Sequence, residues 1–299
     1  MTSIAVVTVA RSDFSIYRPV LRRLSDEPDY LLHLIAADTH FSPEYGVTVH
    51  DIEADGFKIT EQVDMLEETD TPAGTAKSIS RGVAGFSDIF TRLRPDILMV
   101  LGDRYEMLAA VVAALPFVIP VVHIHGGELS EGAFDEAIRH AITKMSHVHF
   151  VATETYARRV IQMGEEPWRV EVTGAPALDN LQEIDTPSAA EVERSFGISL
   201  SPAPLLVTFH PETLEQETTE EHFRELLSAL DTCGEPVLFT YPNADPQGRR
   251  FIELIHEYVD GRPRRAQAVA NLGLKGYYGV LREVPVMVGN SSSGIIEAG

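Results

Sequence analysis

Apolar runs of strand length alternate with longer stretches of helical periodicity through the first half of the chain. These runs are SIAVVTVA, YLLHLIAA, DILMVLGD, FVIPVVHIHG and HVHFVAT. They are continuously apolar rather than alternating with polar residues, which predicts a parallel sheet covered by helices on both faces. Sheets of this kind bind their ligands at the carboxyl ends of the strands, so candidate chemistry is expected there.

A polar segment that contains Pro187, Pro202 and Pro204 lies after Gly174 and predicts a linker. A second series of runs comes after it: PLLVTFHP, PVLFTYPN, QAVANLG and VPVMVGNSSSG. We therefore predict two α/β domains facing each other across a cleft, a first domain of residues 1–175 and a second of residues 176–299. The sequence ends about one helical turn after GNSSSG, so we expect the second domain to be incomplete.

Composition narrows the classes of function. The chain has 24 lysines and arginines against 45 aspartates and glutamates, a formal charge of −21, which disfavours nucleic-acid binding. The single cysteine, Cys233, excludes a disulfide framework and a four-cysteine zinc site. No membrane span or cleavable leader is recognisable, which predicts a cytoplasmic protein. An anionic ligand would have to be met by a few local cations.

Neither common phosphate-binding fingerprint is present, so kinase and NAD-dehydrogenase functions lose their usual support. The first strand instead runs into Arg11, Ser12 and Asp13. One alternative is that Ser12 or Asp13 only caps the following helix. The other is that Arg11 meets a phosphate together with the helix N-terminus.

Ionisable residues are most concentrated after the strands of LMVLGDRYE and VVHIHGGE. Asp103 is predicted either to cap the following helix or to form, with Arg104, an acid/base or ligand-orienting pair. His123 and His125 lie two residues apart and could begin a zinc site, but the spacing specifies no third ligand. A hydrogen-bonded core histidine is the favoured interpretation of His123, whereas His125 is predicted to be either an acid/base group or structural.

Further candidates follow in the same segment and in the second half of the chain. Asp135 and Arg139 are four residues apart and so share a helix face. His210 and Asn243 follow second-domain strands. GNSSSG offers hydroxyls and backbone N–H groups to a diphosphate without adding positive charge, and Glu297 could accept from ribose hydroxyls.

The motifs VARSDFS, GDRYE, HIHGGELSEGAFDEAIRHAITKMSH, TFHPET, YPNAD and GNSSSGIIE together resemble the hydrolysing UDP-N-acetylglucosamine 2-epimerases of sialic-acid and legionaminic-acid biosynthesis. The resemblance implies a GT-B-like fold of two Rossmann-like domains. It also implies removal of the sugar's carbon-2 proton, expulsion of UDP to give a glycal, and addition of water to give the free 2-epimer. No cofactor or metal is implied, and we expect a homodimer or homotetramer.

The resemblance assigns roles by motif position. Asp103 and Asp135 match acid/base carboxylates, and His210 matches a catalytic histidine. Positions that contact or organise the nucleotide sugar are matched by Arg11, His40, Arg104, Arg139, Asn243, Asn290, Ser291, Ser292 and Glu297.

One departure affects the catalytic assignment. Many relatives have a carboxylate where this chain has His125, so either the imidazole takes over that role or Glu128 supplies the carboxylate. The histidine also suggests a bacillosamine-type sugar. The alternatives left open are a non-hydrolysing epimerase, a GT-B glycosyltransferase and a nucleotide-sugar-binding domain without turnover.

Overall fold

The computed structural model describes residues 1–43, 46–67, 69, 71–214, 217–242 and 247–298. The chain divides into two compact units. The first contains Met1–Pro43, Val47–Glu68 and Ala73–Asn180, and the second consists mainly of Leu181–Gly299. No helix within the described ranges is long and apolar enough to cross a membrane.

The first unit is built on a parallel sheet of seven strands. They are β1 (Thr2–Thr8), β2 (Tyr30–Ala37), β3 (Ile59–Val63), β4 (Ile97–Leu101), β5 (Val121–Ile124), β6 (Val148–Val151) and β7 (Val170–Val172). The five predicted runs form β1, β2, β4, β5 and β6. The two remaining strands are β3, ITEQV, in which three polar residues separate two apolar ones, and β7, a largely exposed strand of three residues.

Helices connect these strands: α1 (Arg11–Asp26), α2 (Val49–Ala54), α3 (Pro72–Leu93), α4 (Tyr105–Ala114), α5 (Asp135–Met145) and α6 (Glu154–Gln162). Short 3₁₀ turns cover Asp38–Phe41, Leu115–Phe117, Pro167–Arg169 and Pro176–Asp179. Tyr17, Ile35 and Phe86 are fully buried against the sheet core, and each buried side chain of this size contributes about 1.5–3 kcal/mol.

The strand order β3-β2-β1-β4-β5-β6-β7 places a switch point between β1 and β4. The chain runs outward from β1 in one direction and from β4 in the other. Right-handed crossovers in opposite directions place helices on both faces of the sheet and leave a crevice at the carboxyl ends of the two central strands. The residues after β1 and β4 are therefore the first unit's best-placed groups for a ligand.

The second unit has four described strands, all parallel: β8 (Leu205–Thr208), β9 (Val237–Thr240), β10 (Ala266–Val269) and β11 (Met287–Gly289), in the order β10-β9-β8-β11. Its helices are α7 (Asn180–Glu183, which begins in the first unit), α8 (Ala189–Phe196), α9 (Thr219–Cys233), α10 (Gly248–Asp260), α11 (Gly273–Glu283) and α12 (Ser293–Ile296). All four predicted runs are strands. The switch point falls between β8 and β11, which precede His210 and the GNSSSG segment.

Candidate active site

Asp103 lies at the tip of β4 and pairs with an arginine from another element. Gly102 turns the chain in the left-handed region, with φ of +72°, immediately after the strand. The Asp103 carboxylate then accepts hydrogen bonds from Arg139 of α5 and from the Ser130 hydroxyl, the latter at 2.8 Å. Asp103 does not cap α4, whose N-cap position is Arg104. The strand-tip carboxylate is thus part of an ion-paired cluster.

His125 and Glu128 form a second pair in the turn that follows β5. The His125 imidazole Nδ1 and Glu128 Oε1 are 2.5 Å apart, and the ring is 3% exposed. His125 has a φ of +62°, uncommon for a residue with a side chain, and Gly127 has a φ of +78°. The His125 Nε2 atom is buried and has no hydrogen-bond partner among the described residues.

Arg139 joins the two pairs. One terminal nitrogen donates to the His125 carbonyl at 2.7 Å and lies 3.7 Å from Glu128, while the other donates to Asp103 and, at 3.2 Å, to the Ser130 hydroxyl. Arg139 is 6% exposed, so these contacts are little screened by water. Asp135 begins α5 one helical turn before Arg139 and is half-buried. We call Asp103, His125, Glu128, Ser130 and Arg139 the acid/base cluster.

The adjacent histidine of β5 is a core residue, as predicted. His123 is fully buried; its Nε2 lies 2.8 Å from the Gly102 carbonyl and its Nδ1 3.2 Å from the Thr143 hydroxyl. Burial lowers the pKa of His123 to about 3, so the ring is neutral at physiological pH. Among the described residues, no group of three or more His, Cys, Asp or Glu side chains is arranged to hold a metal ion.

The Arg104 guanidinium forms an ion pair with Glu106, two residues further along the chain. Its Nε lies 3.2 Å from both oxygens of Glu106 and its Nη2 2.6 Å from one of them, and Glu106 is fully buried. Such a bidentate pair fixes the plane of the guanidinium as well as its position. Arg104 is therefore a held cation at the tip of β4.

Polar groups at the ends of β1 and β2 are also enclosed. Arg11 begins α1 and is half-buried. The Asp13 carboxylate accepts from the backbone N–H groups of Val9 and Ala10 at 2.9 and 2.6 Å, and burial raises its pKa to about 6. Asp13, rather than Ser12, therefore supplies the cap at the start of α1.

His40 is completely buried between two threonine hydroxyls. Its Nε2 lies 2.9 Å from Thr8 Oγ1 and its Nδ1 2.8 Å from Thr48 Oγ1. Burial lowers the pKa of His40 to about 3. The ring supports the ends of β1 and β2, and its predicted role toward the sugar stays a prediction.

In the second unit, Asn290 binds the backbone beyond β8. Its side-chain oxygen accepts from the His210 N–H at 2.7 Å, and its amide nitrogen donates to the His210 carbonyl at 2.8 Å. Gly289 precedes it at a φ of +140°, where a Cβ would lie 1.8 Å from the Thr208 carbonyl oxygen, so only glycine fits. The switch-point segments after β8 and β11 are thereby joined.

The remaining second-unit candidates lie in or beside α12. Ser291 is half-buried and Ser292 is exposed. Glu297 accepts a long hydrogen bond, 3.4 Å, from the Tyr278 hydroxyl. Asn243 lies outside the described residues.

Sequence reasoning missed residues that organise the candidates. Ser130 lies in the segment rich in ionisable residues after β5. Its position shortly before a helix-forming stretch could have indicated a hydroxyl that binds a neighbouring charged group. Arg159 of α6 donates to the Gly127 carbonyl, and no sequence motif near Arg159 pointed to this contact. Only the parallel pairing of β5 with β6 brings α6 to this turn.

Two parallel-sheet units, each with polar groups at its switch point, define a GT-B-like α/β protein, and solved structures confirm this predicted class. The structure superposes with a TM-score of 0.79 on the UDP-GlcNAc 2-epimerase of Neisseria meningitidis bound to UDP-GlcNAc, at 16% identity, covering 98% of this chain and 79% of that one. The enzyme of Methanocaldococcus jannaschii in complex with UDP-GlcNAc and UDP gives 0.76 at 16% identity, covering 99% and 91%.

The chain belongs to the UDP-N-acetylglucosamine 2-epimerase family, whose sequence model matches residues 22–299. It is 37% identical over 296 residues to the GDP/UDP-N,N'-diacetylbacillosamine 2-epimerase (hydrolyzing) of Campylobacter jejuni, covering 99% of this chain and 77% of that protein. The UDP-N,N'-diacetylbacillosamine 2-epimerase (hydrolyzing) of Legionella pneumophila is also 37% identical, covering 99% and 78%. The polysialic acid biosynthesis protein P7 of Escherichia coli is 36% identical, covering 99% and 76%. The predicted family is thus confirmed.

Proposed function

We propose that this chain is a hydrolysing nucleotide-sugar 2-epimerase. Its substrate would be UDP-N-acetylglucosamine or a UDP- or GDP-linked diacetamido-trideoxy sugar, and its products the nucleoside diphosphate and the free 2-epimer. The observation that carries the proposal is the acid/base cluster at the carboxyl ends of β4 and β5, in a member of this epimerase family. The names of the Campylobacter and Legionella relatives favour the diacetamido sugar.

The first chemical step is removal of the proton on carbon 2, which needs a well-placed base. Glu128 accepts a hydrogen bond from His125 Nδ1–H, so the ring carries its lone pair on Nε2. This geometry favours the imidazole as the base and Glu128 as the group that orients it. The alternative, in which Glu128 itself takes the proton, would break the hydrogen bond that holds the ring.

The second step expels the nucleoside diphosphate and the third adds water to the glycal. Asp103 and Asp135 are the proposed acid/base carboxylates for these proton transfers, with Asp103 oriented by Arg139 and Ser130. Fixed hydrogen bonds of this kind cost no reorganisation during the reaction. Developing negative charge on the diphosphate is assigned to Arg11, Arg104, Arg139, His210 and the hydroxyls of Ser291 and Ser292. We assign sugar or ribose contacts to His40, Asn243, Asn290 and Glu297.

Incubation in deuterated water separates this function from its competitors. With UDP-N-acetylglucosamine or its diacetamido-trideoxy analogue, we expect free nucleoside diphosphate and a free 2-epimer deuterated at carbon 2. Epimerised sugar still attached to UDP would indicate the non-hydrolysing reaction. Acceptor-dependent UDP release without exchange would indicate a glycosyltransferase, and UDP binding by calorimetry without turnover would indicate a binding domain.

The matched variant is Asp103→Asn, which keeps the side-chain shape and removes the acid/base oxygen. We expect it to lose carbon-2 exchange and UDP release while it still binds UDP. If the variant instead fails to fold, Asp103 has a structural role in pairing with Arg139, and its assignment to catalysis is wrong.

We also propose that the protein assembles as a homodimer or homotetramer. Support comes from apolar side chains exposed at the end of α4 and just after it: Val112, Leu115 and Val118, the last 84% exposed. Light scattering on the purified chain tests the proposal, and a monomer at micromolar concentration would refute it.

A further inference from the structure

A pair of buried acids lies beside Arg104. Asp38 directly follows β2 and is 4% exposed, and Glu106 is in the first turn of α4 and is fully buried. The two strands that lead to them, β2 and β4, flank β1 in the sheet. At the carboxyl edge of the sheet, Glu106 acts on Asp38 both through its charge and through side-chain hydrogen bonding. The epimerisation chemistry proposed above uses neither acid.

The surroundings of Asp38 do not suit a carboxylate. Within the described parts of the chain, neither Asp38 oxygen has a hydrogen-bond partner of ordinary geometry, and only the Thr39 N–H and the Arg104 charge favour the carboxylate form. A buried carboxylate without such hydrogen bonds is strongly unfavourable, and a second carboxylate against it adds repulsion. Burial raises the pKa of Asp38 well above its usual range, and the Glu106 carboxyl raises it further. Asp38 is therefore the protonated member of the pair.

Glu106 is the charged member, because Arg104 binds both of its oxygens. An Asp38 hydroxyl then has an acceptor in Glu106, and the three groups together carry one positive and one negative charge. Asp38 is held with φ of +55°, in the left-handed region that residues with a side chain seldom adopt. Backbone strain of this kind persists where the surrounding structure fixes the side chain.

We propose that Asp38 is a positioning residue: as a carboxylic acid it donates to Glu106, and through Glu106 it holds the Arg104 guanidinium at the tip of β4 next to Asp103. The proposal rests on the proposed function, in which Arg104 meets the nucleotide sugar. Ionisation of Asp38 would add a negative charge that competes with Glu106 for Arg104. Of the charged or titratable groups, Glu106 and Arg104 act directly on Asp38, and Asp13 and His40 act on the same Arg104 guanidinium.

The test compares Asp38→Asn with Asp38→Ala and Glu106→Gln. Asparagine replaces the acid's O–H donor by N–H, so we expect it to keep kcat and KM within about threefold of the wild type. Alanine and Glu106→Gln each release Arg104, so we expect KM for the nucleotide sugar to rise about tenfold or more, since small misplacements cost up to about 10²-fold. Equal losses in the asparagine and alanine variants, or no loss in alanine, would overturn the proposal.

The pH profile gives a readout that a merely structural role would not move. Wild-type kcat/KM should fall at alkaline pH as Asp38 ionises, and Asp38→Asn should lack that limb. An alkaline limb unchanged in Asp38→Asn would contradict the proposal, even if Asp38→Ala does not fold.

Infrared spectroscopy tests the protonation without any turnover, and so separates this proposal from the proposed function. At mildly alkaline pH, Asp13, with a pKa of about 6, is ionised. The wild type should still show the carbonyl stretch of a protonated carboxylic acid, which Asp38→Asn should lack and Asp13→Asn should retain. Absence of the band in the wild type would refute a neutral Asp38. A band without turnover on any nucleotide sugar would refute only the proposed function.

Discussion

Replacing Arg139 by lysine keeps the positive charge but removes the fork that joins the two catalytic pairs. In the wild type, one nitrogen reaches the His125 carbonyl at 2.7 Å while the other reaches Asp103 and the Ser130 hydroxyl. A lysine ammonium group can donate to the Asp103 carboxylate or to the His125 carbonyl, but it lacks the planar fork of donors that reaches both. The lysine variant therefore tests whether orientation, rather than charge, is what Arg139 supplies.

The magnitude follows from the hydrogen bonds that a lysine cannot make. Each hydrogen bond to a charged group is worth about 1.5–3 kcal/mol. Removal of one such bond and loosening of a second correspond to about 2–4 kcal/mol, or about 30- to 1000-fold in kcat/KM. The free energy of unfolding should fall by less than this amount. Lysine also removes the Nε of Arg139, which is buried without a partner among the described residues.

The assay is UDP release and carbon-2 deuterium incorporation, together with thermal unfolding. Arg158→Lys is the matched control, since Arg158 of α6 is exposed and donates to the Thr155 hydroxyl of its own helix at 3.0 Å. We expect the control to keep kcat/KM and the Arg139→Lys variant to lose it with a nearly normal melting temperature. A normally folded Arg139→Lys protein with kcat/KM within about threefold of the wild type would refute the reasoning.

Three further predictions concern other parts of the two units. Glu128→Gln should lower kcat by about 10- to 1000-fold with little change in KM, because an amide can also donate to His125 and favour the wrong tautomer; steady-state kinetics checks this. Gly289→Ala should destabilise the fold by about 2–6 kcal/mol in urea unfolding, from an unfavourable φ and a severe backbone contact. His40 and His123 have folded pKa values lowered to about 3, so their stabilisation is complete above about pH 6.5 and is lost as the pH falls toward 3. The two rings alone would lower the unfolding free energy by up to about 2.7 kcal/mol per pH unit across that window, but Asp13 and Asp38, whose pKa values are raised, contribute with the opposite sign between about pH 4 and 6. The test is therefore an NMR titration of the two rings, in which a ring that becomes protonated near pH 6.5 would contradict neutral buried histidines.

The sheet could be predicted from sequence because buried parallel strands are continuously apolar. Each predicted run in both units became a strand. The two strands that were not predicted lie at the sheet edges, where continuous burial is not required. ITEQV of β3 has three consecutive polar residues, and VEV of β7 is short and largely exposed. His123 was also predictable, since a histidine within such a run must be neutral and hydrogen-bonded.

The pairing of side chains was less predictable, because it depends on long-range register. Neighbouring Asp103 and Arg104 suggested one pair, but each binds a different partner: Asp103 reaches α5, and Arg104 turns to Glu106. A strand and the helix after it point consecutive side chains in different directions, so adjacency in sequence is a weak guide to an ion pair. The contact between Asp103 and Arg139 spans 36 residues of sequence and follows only from the strand order.

These pairings change how charge at the first unit's sheet edge is understood. A chain with a charge of −21 was expected to meet an anionic ligand with a few local arginines. Two of them, Arg104 and Arg139, are instead neutralised by Glu106 and Asp103. The edge therefore presents oriented donors with little net positive charge. Oriented donors act at short range and are screened less by salt than exposed charges are. We expect UDP affinity to change by less than about threefold between low and physiological salt, whereas a steep salt dependence would mean that exposed cations do the binding.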